Sequence, residues 1–302
     1  MTIEAWLRWA ETRLSAAGLD SPRLEAEWLL AHVLGLPRMQ LTLQSRRELS
    51  STERESVDPL LDRRCCRIPS QHLIGTAAFL HHELIVDQRV LVPRPETEGL
   101  ALLAIQHLRQ SLQKKPKVQV LDFGTGSGAL ILSIAAELPS IEVHALDISA
   151  DALEVARLNA RRLGLTDRVH FHQSDRFRQL PPGLRFDLLV ANPPYIPTQE
   201  IKTLAPEVRE FDPKLALDGG SDGLDFYRYL ASEAGQRLIP GGCLLLELGF
   251  GQSQEVVELF RKAGWTHESV EKDLSGIERV LIVRCPGGSD QNSPQGLLPI
   301  HG

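Results

Sequence analysis

Apolar residues recur at two different periods along this chain, and the change of period divides it. Over residues 1–72 the spacing is helical. Trp6, Leu7, Ala10 and Leu14 fall on one face of a helix, as do Ala26, Leu29, Leu30 and Val33. Ser21-Pro22 is a helix start, Gly35 with Pro37 a stop, and Ser50/Ser51 followed by Thr-Glu-Arg-Glu caps a third helix with acids in its first turn. Residues Ala78–Val92 carry β-branched and apolar side chains around Asp87-Gln88 and predict a hairpin or a pair of short strands. Pro93–Glu98 then opens a helix, with Pro95 in the first turn and glutamates near its positive end.

From Val118 onward, short apolar runs alternate with helical stretches. Val118 begins a strand that passes through a glycine-rich turn into a helix. Ile141–Leu146, Val169–His172 and Leu188–Val190 read as buried strands, another ends at Glu247, and Gly276–Cys285 is a last strand behind a turn. Strands alternating with helices predict an α/β fold with a doubly wound, mostly parallel sheet and right-handed crossovers. The expected organisation is a helical domain at 1–72, a β-hairpin linker at 73–94 and the α/β domain at 95–285. The tail at 286–302 has the composition of a disordered segment.

Composition narrows the classes. The chain has 302 residues, 42% hydrophobic and 24% charged, with a formal net charge of −6. That charge argues against a protein gripping nucleic acid over a wide surface. Arg46, Arg47, Arg54, Arg63, Arg64 and Arg67 sit among Glu48, Glu53, Glu55, Asp58 and Asp62, as on a solvated helix face. No apolar run reaches the ~20 residues needed to cross a bilayer, and the first residues lack the apolar core of a signal peptide. Cys65, Cys66, Cys243 and Cys285 show no CxxC spacing, so a reduced, cytoplasmic setting is expected, without disulfides. His81 and His82, as strand neighbours, would face opposite ways. His170 and His172 share a face but have no third ligand nearby in sequence, so they read as surface or packing residues and no metal is expected.

The chemistry lies at two strand ends. Phe186–Ile196, FDLLVANPPYI, is an apolar strand that stops abruptly, because neither Pro193 nor Pro194 has an N–H and each fixes its φ. The rigid ledge left there presents the Asn192 side chain, the Pro193 carbonyl and the Tyr195 ring. Two acceptors can grip both hydrogens of a planar –NH2 group, and Tyr195 can stack on it. A plain proline-rich turn, with Asn192 bonding its own backbone, is the other reading. Earlier in the chain Asp122 precedes Gly124, Gly126 and Gly128, a GxGxG spacing one residue tighter than the dinucleotide fingerprint. Asp147 ends the next strand roughly 20 residues beyond the turn, where this architecture meets a ribose diol. Ser149 then caps a helix, and Ser174-Asp175-Arg176-Phe177 forms a candidate adenine pocket. With strand order 3-2-1-4-5, the glycine turn and NPPY face one crevice, which is a layout for methyl transfer.

These motifs resemble those of class I S-adenosylmethionine-dependent methyltransferases acting on amino or amide nitrogen. LVPRPETE, VREFDPKLALDGGSDGLDFYR and DLSGIERV resemble, more narrowly, the release-factor glutamine methyltransferases (the PrmC/HemK family). The resemblance implies a seven-stranded sheet, S-adenosyl-L-methionine as cofactor, and release factors as partners, recognised with help from the helical domain. It also implies that Gly124, Thr125, Gly126, Ser127 and Gly128, with Asp122, Asp147, Asp175, Arg176 and Asn192, surround the cofactor. Asn192, Pro193, Pro194 and Tyr195 would hold the substrate glutamine of a GGQ loop, with Asn192, Pro193 and Tyr195 as its catalytic group. Arg176 stands where some members carry tryptophan, although a guanidinium can stack too. Glu247 is read as structural with cofactor-side contact as the alternative, and Gly219, Gly220 and Gly223 as shaping a loop beside the site. The runner-up is an adenine-N6 or guanine-N2 methyltransferase on nucleic acid, which would call for a target-recognition domain and a basic surface; neither is visible. A catalytically dead scaffold would tolerate loss of the glycines, Asp147 or Asn192, yet all are intact.

Overall fold

The computed structural model describes residues 1–285; the tail expected to be disordered lies outside the described residues. The chain begins with α1 (Ile3–Ala16), α2 (Pro22–Leu34), α3 (Arg38–Leu43), α4 (Ser51–Cys65) and α5 (Ser70–Ile74). Caps explain the boundaries. Thr2 accepts from the Ala5 N–H at the start of α1, Gly35 ends α2 in the left-handed region at φ 63°, and Ser50 with Glu53 forms a capping box on α4. The helical faces foreseen from the periodicity close on one core, with Trp6, Leu14, Leu29, Leu30, Val57 and Leu61 fully buried. The six-residue helix α3 was not expected after Pro37; only Leu41 anchors it, which is too little for a periodic signal.

The hairpin is β1 (Thr76–Phe79) paired antiparallel with β2 (His82–Ile85). Its turn is at Leu80-His81, not at Asp87-Gln88 as the sequence suggested. Leu80 adopts φ 51°, and its N–H donates to Glu98 Oε1 at 2.8 Å, so tertiary contact stabilises a turn lacking turn residues. His81 therefore lies in the turn, and only His82 is a strand residue. Asp87 instead binds its near neighbour Arg89, and Val86, Val90 and Val92 bury themselves against Ala152 and Val155.

The remaining elements are α6 (Pro95–Leu112), β3 (Val118–Phe123), α7 (Ala129–Glu137), β4 (Ile141–Asp147), α8 (Ala150–Arg162), β5 (Val169–Gln173) and β6 (Phe186–Ala191). After them come α9 (Pro206–Phe211), α10 (Asp225–Glu233), β7 (Leu238–Glu247), α11 (Ser253–Lys262), β8 (Thr266–Lys272) and β9 (Glu278–Arg284). The seven-stranded sheet has the order β5-β4-β3-β6-β7-β9-β8, parallel except where β9 runs antiparallel to both β7 and β8. An apolar layer covers each face, so the central strands β3 and β6 are buried on both sides, as their continuous apolar runs require.

Register sets up the site. Phe123 on β3 pairs with Ala191 on β6 and with Leu146 on β4. The chain therefore leaves the sheet side by side at Gly124, Asn192 and Asp147. This is the switch point where parallel sheets bind ligands. The helical region is tied to this half by Arg64, 4% exposed, which donates to Glu25 on α2 and to Glu207 on α9. Arg67 donates to the other Glu207 oxygen at 2.6 Å. Among the described residues no helix is long and apolar enough to cross a membrane.

Candidate active site

Two cavities meet at the end of β6. The larger, about 290 Å³, is walled by Asp122, Gly124, Thr125, Gly126, Ser127, Asp147, Asp175, Arg176, Asn192, Pro193 and Pro194. The smaller, about 220 Å³, is walled by Leu91, Tyr195, Ile196, Leu204, Val208 and Leu217. Leu91, Arg94, Asn192, Pro193 and Ala216 line both. The distant sequence motifs thus converge, with Gly128 and Tyr195 outside the larger cavity.

Local chemistry explains the larger wall. Gly124 and Gly126 take φ values of 80° and 53°, and a Cβ on either would meet no protein atom within 4 Å, so a ligand can approach bare backbone. Gly128 serves packing instead, because a Cβ there would lie 2.8 Å from Leu132. Asp147 accepts from the N–H groups of Gly126 and Ser149 at 2.8 and 2.9 Å. Asp122 accepts from the Thr125 hydroxyl at 2.7 Å. Burial, with the neighbouring Asp147 charge added, pushes the Asp122 carboxyl up to about 7; burial also raises Asp147. Asn159, fully buried on α8, donates to the carbonyls of Ser127 and Ile85 and so fastens the glycine turn to the hairpin. The guanidinium of Arg176 lies 4.5 Å from the Tyr229 ring centre, and Arg178 holds the Asp175 carboxylate at 2.5 Å.

The ledge is buttressed from behind. Ile196 donates to the Leu217 carbonyl at 3.1 Å and accepts from Gly219 at 2.9 Å. A Cβ on Gly219 would sit 2.9 Å from the Pro194 carbonyl, and one on Gly223 would sit 2.3 Å from the Tyr195 carbonyl. Those glycines therefore let a loop press directly on the NPPY backbone. Asn192 Nδ2 donates to Thr97 Oγ1 at 2.9 Å, and Thr97 Oγ1 donates to Glu247 Oε2 at 2.6 Å. Tyr195 reaches Glu247 Oε1 at 3.4 Å. Burial pushes Glu247 up to about 7 and Tyr195 up to about 12. With its nitrogen held by Thr97, Asn192 presents Oδ1 as an acceptor. Sequence reasoning missed this relay: the PETE run signals a helix start, and nothing local shows that Thr97 meets a strand end 150 residues away at Glu247.

Away from the cavities, His170 and His172 do share a face. Cross-strand pairing brings Glu142 and His144 beside them, which the sequence alone did not reveal.

Residues 5–75 match the family described as PrmC N-terminal domain, and residues 102–208 match the methyltransferase small domain. The release factor glutamine methyltransferase of Geobacter sulfurreducens is 40% identical over 281 residues, covering 93% of this chain and 95% of that protein. Its namesake in Deinococcus radiodurans is 43% identical over 288 residues, covering 95% of this chain and 100% of that protein. The chain belongs to the release factor glutamine methyltransferase family. A solved structure of the hMettl16 catalytic domain, 17% identical, superposes with a TM-score of 0.51 over 66% of this chain and 74% of that one, a likeness of fold.

Release factor glutamine methyltransferases use S-adenosylmethionine, and the larger cavity suits it. The bare glycine backbone admits close approach. Asp122 and Asp147, both raised by burial in one wall, favour a ligand bearing positive charge.

Proposed function

We propose that this protein methylates the side-chain amide nitrogen (N5) of the glutamine in the GGQ motif of peptide chain release factors, in the cytoplasm. The observation that carries the reading is the position of Asn192 and Pro193, shared by the two cavity walls. The larger cavity holds S-adenosylmethionine through the turn at Gly124, Thr125, Gly126 and Ser127, with Asp147, Asp175 and Arg176, while Asp122 supplies negative charge. The smaller cavity receives the glutamine side chain, which Asn192, Pro193 and Tyr195 hold, with Pro194 contributing from the wall of the larger cavity.

When bound, S-adenosylmethionine supplies an electrophilic methyl group. An amide nitrogen is a poor nucleophile because its lone pair is delocalised into the carbonyl. Asn192 Oδ1 and the Pro193 carbonyl accept its two hydrogens, which returns electron density to nitrogen and aims it. Thr97 keeps Asn192 in the acceptor orientation, since the Thr97 proton is committed to Glu247. The chemistry is positioning and electrostatics: no side chain is needed to deprotonate a free amide, because the methylated nitrogen gives up its surplus proton to solvent after the transfer. The helical region, residues 1–72, joined through the 73–94 linker to the methyltransferase domain at 95–285, recognises the release factor body. The net charge of −6 is consistent with no sequence-specific nucleic-acid contact.

Labelled S-adenosylmethionine, offered with a release factor, the same factor lacking the GGQ glutamine, and DNA in parallel, tests the reading. Label should enter the intact factor alone. Label in DNA, or undiminished label in the altered factor, overturns it.

A further inference from the structure

The edge of the sheet carries a second constellation that methyl transfer does not use. Strand β4 alternates: Ile141, Val143 and Ala145 face the core beneath α6 and α7, while Glu142 and His144 face the other side. Strand β5 pairs His170 directly with His144, and His172 lies two pairs further on, opposite Leu146. Glu142 Oε1 is 3.6 Å from His144 Nε2 and 3.3 Å from His170 Nε2, and the three donor atoms lie within 4.8 Å of one another. None of these residues lines the larger cavity.

We propose that Glu142, His144 and His170 form a binding site for a divalent transition-metal ion of the zinc class, with water as the fourth ligand. Zinc bound tetrahedrally at 2.0–2.1 Å sets neighbouring ligand atoms about 3.3 Å apart, close to the two separations seen here. The supporting shell is already in place. Gln119 Nε2 donates to Glu142 Oε2 at 3.2 Å, leaving Oε1 for the ion. His144 Nδ1 lies 2.9 Å from His172 Nε2, and with the proton on Nδ1 the His144 Nε2 lone pair points at Glu142.

Two blander readings each leave a group unsatisfied. Packing alone leaves the Nε2 of His144, 5% exposed, without a hydrogen-bond partner among the described residues, a cost that a bound ion would remove. A direct pair between His144 and Glu142 is poorly made, because the two atoms stand 3.6 Å apart. That spacing is beyond a good hydrogen bond, and a cation held between the ring nitrogens and the carboxylate would satisfy both. His170 and Glu142 stand half in solvent, so an ion has a way in. Once bound, it clamps the edge strand β5 to β4, the strand that carries Asp147.

The test uses the full chain, stripped with chelator and titrated with Co²⁺ while the visible bands of tetrahedral cobalt are followed, then with Zn²⁺ in competition. One equivalent should bind, and Zn²⁺ should displace it and raise Tm. His170→Ala and Glu142→Gln should each weaken binding at least tenfold and abolish the Tm increase, while Cys65→Ser and Cys66→Ser leave both unchanged. His170 is exposed, and unchanged S-adenosylmethionine binding by His170→Ala certifies its fold. Absence of saturable binding, or binding undiminished in His170→Ala and Glu142→Gln, overturns the proposal, as does binding lost on removing the cysteines.

Discussion

Thr97→Val is the sharpest perturbation of the proposed mechanism, because it keeps the side chain's shape and removes one oxygen. That oxygen accepts from Asn192 at 2.9 Å and donates to Glu247 at 2.6 Å. In the native protein a flipped Asn192 would set its oxygen against a hydroxyl whose proton is already committed, so the flip is strongly disfavoured. Valine removes that discrimination. Losing one net hydrogen bond of about 1–1.5 kcal/mol corresponds to roughly a tenfold drop in kcat. The S-adenosylmethionine Kd should change by less than about threefold, because the glycine turn, Asp147, Asp175 and Arg176 are left untouched. Thr97→Ser retains the hydroxyl and should recover most of the rate. Methyl-transfer kinetics on a release factor, with calorimetric Kd values for the cofactor, make the measurement. A Thr97→Val enzyme with unchanged kcat, or a Thr97→Ser enzyme equally slow, would refute the orienting role of the relay.

Asp122 gives the pH dependence. Its carboxyl, raised to about 7 mainly by burial, is protonated below that pH and ionised above it. A cationic ligand favours the ionised form, so S-adenosylmethionine affinity should rise with pH through about 7, and Asp122→Asn should flatten that rise; parallel profiles for the two proteins would count against it. Gly223→Ala would place a Cβ 2.3 Å from the Tyr195 carbonyl at a residue whose φ is 78°, so the NPPY backbone must move. Its kcat should fall at least tenfold, the loss of about 1.4 kcal/mol of transition-state stabilisation, while cofactor Kd stays near the parent value. Equal losses in both would mean the loop supports the whole domain rather than the ledge.

Several of these features were legible in the chain, and others were not. Helical periodicity over residues 1–72 predicted a core that formed as expected, because amphipathic helices announce their buried faces at fixed intervals. NPPY and GxGxG were readable because proline and glycine act on their own backbone, whatever surrounds them. The hairpin turn was misplaced: Leu80 holds its positive φ only because Glu98, from a later helix, takes its N–H.

Sequence by itself determined the alternation of strands and helices, the stiff ledge at Asn192–Tyr195 and the open backbone at Gly124 and Gly126. These follow from local covalent geometry and burial patterns. Tertiary structure alone decided which way Asn192 points, through Thr97 and Glu247, and which groups stand beside His170, through pairing of β4 with β5. Those contacts join residues far apart in the chain, and their energies depend on desolvation and angle, quantities that exist only once the sheet has brought the partners together.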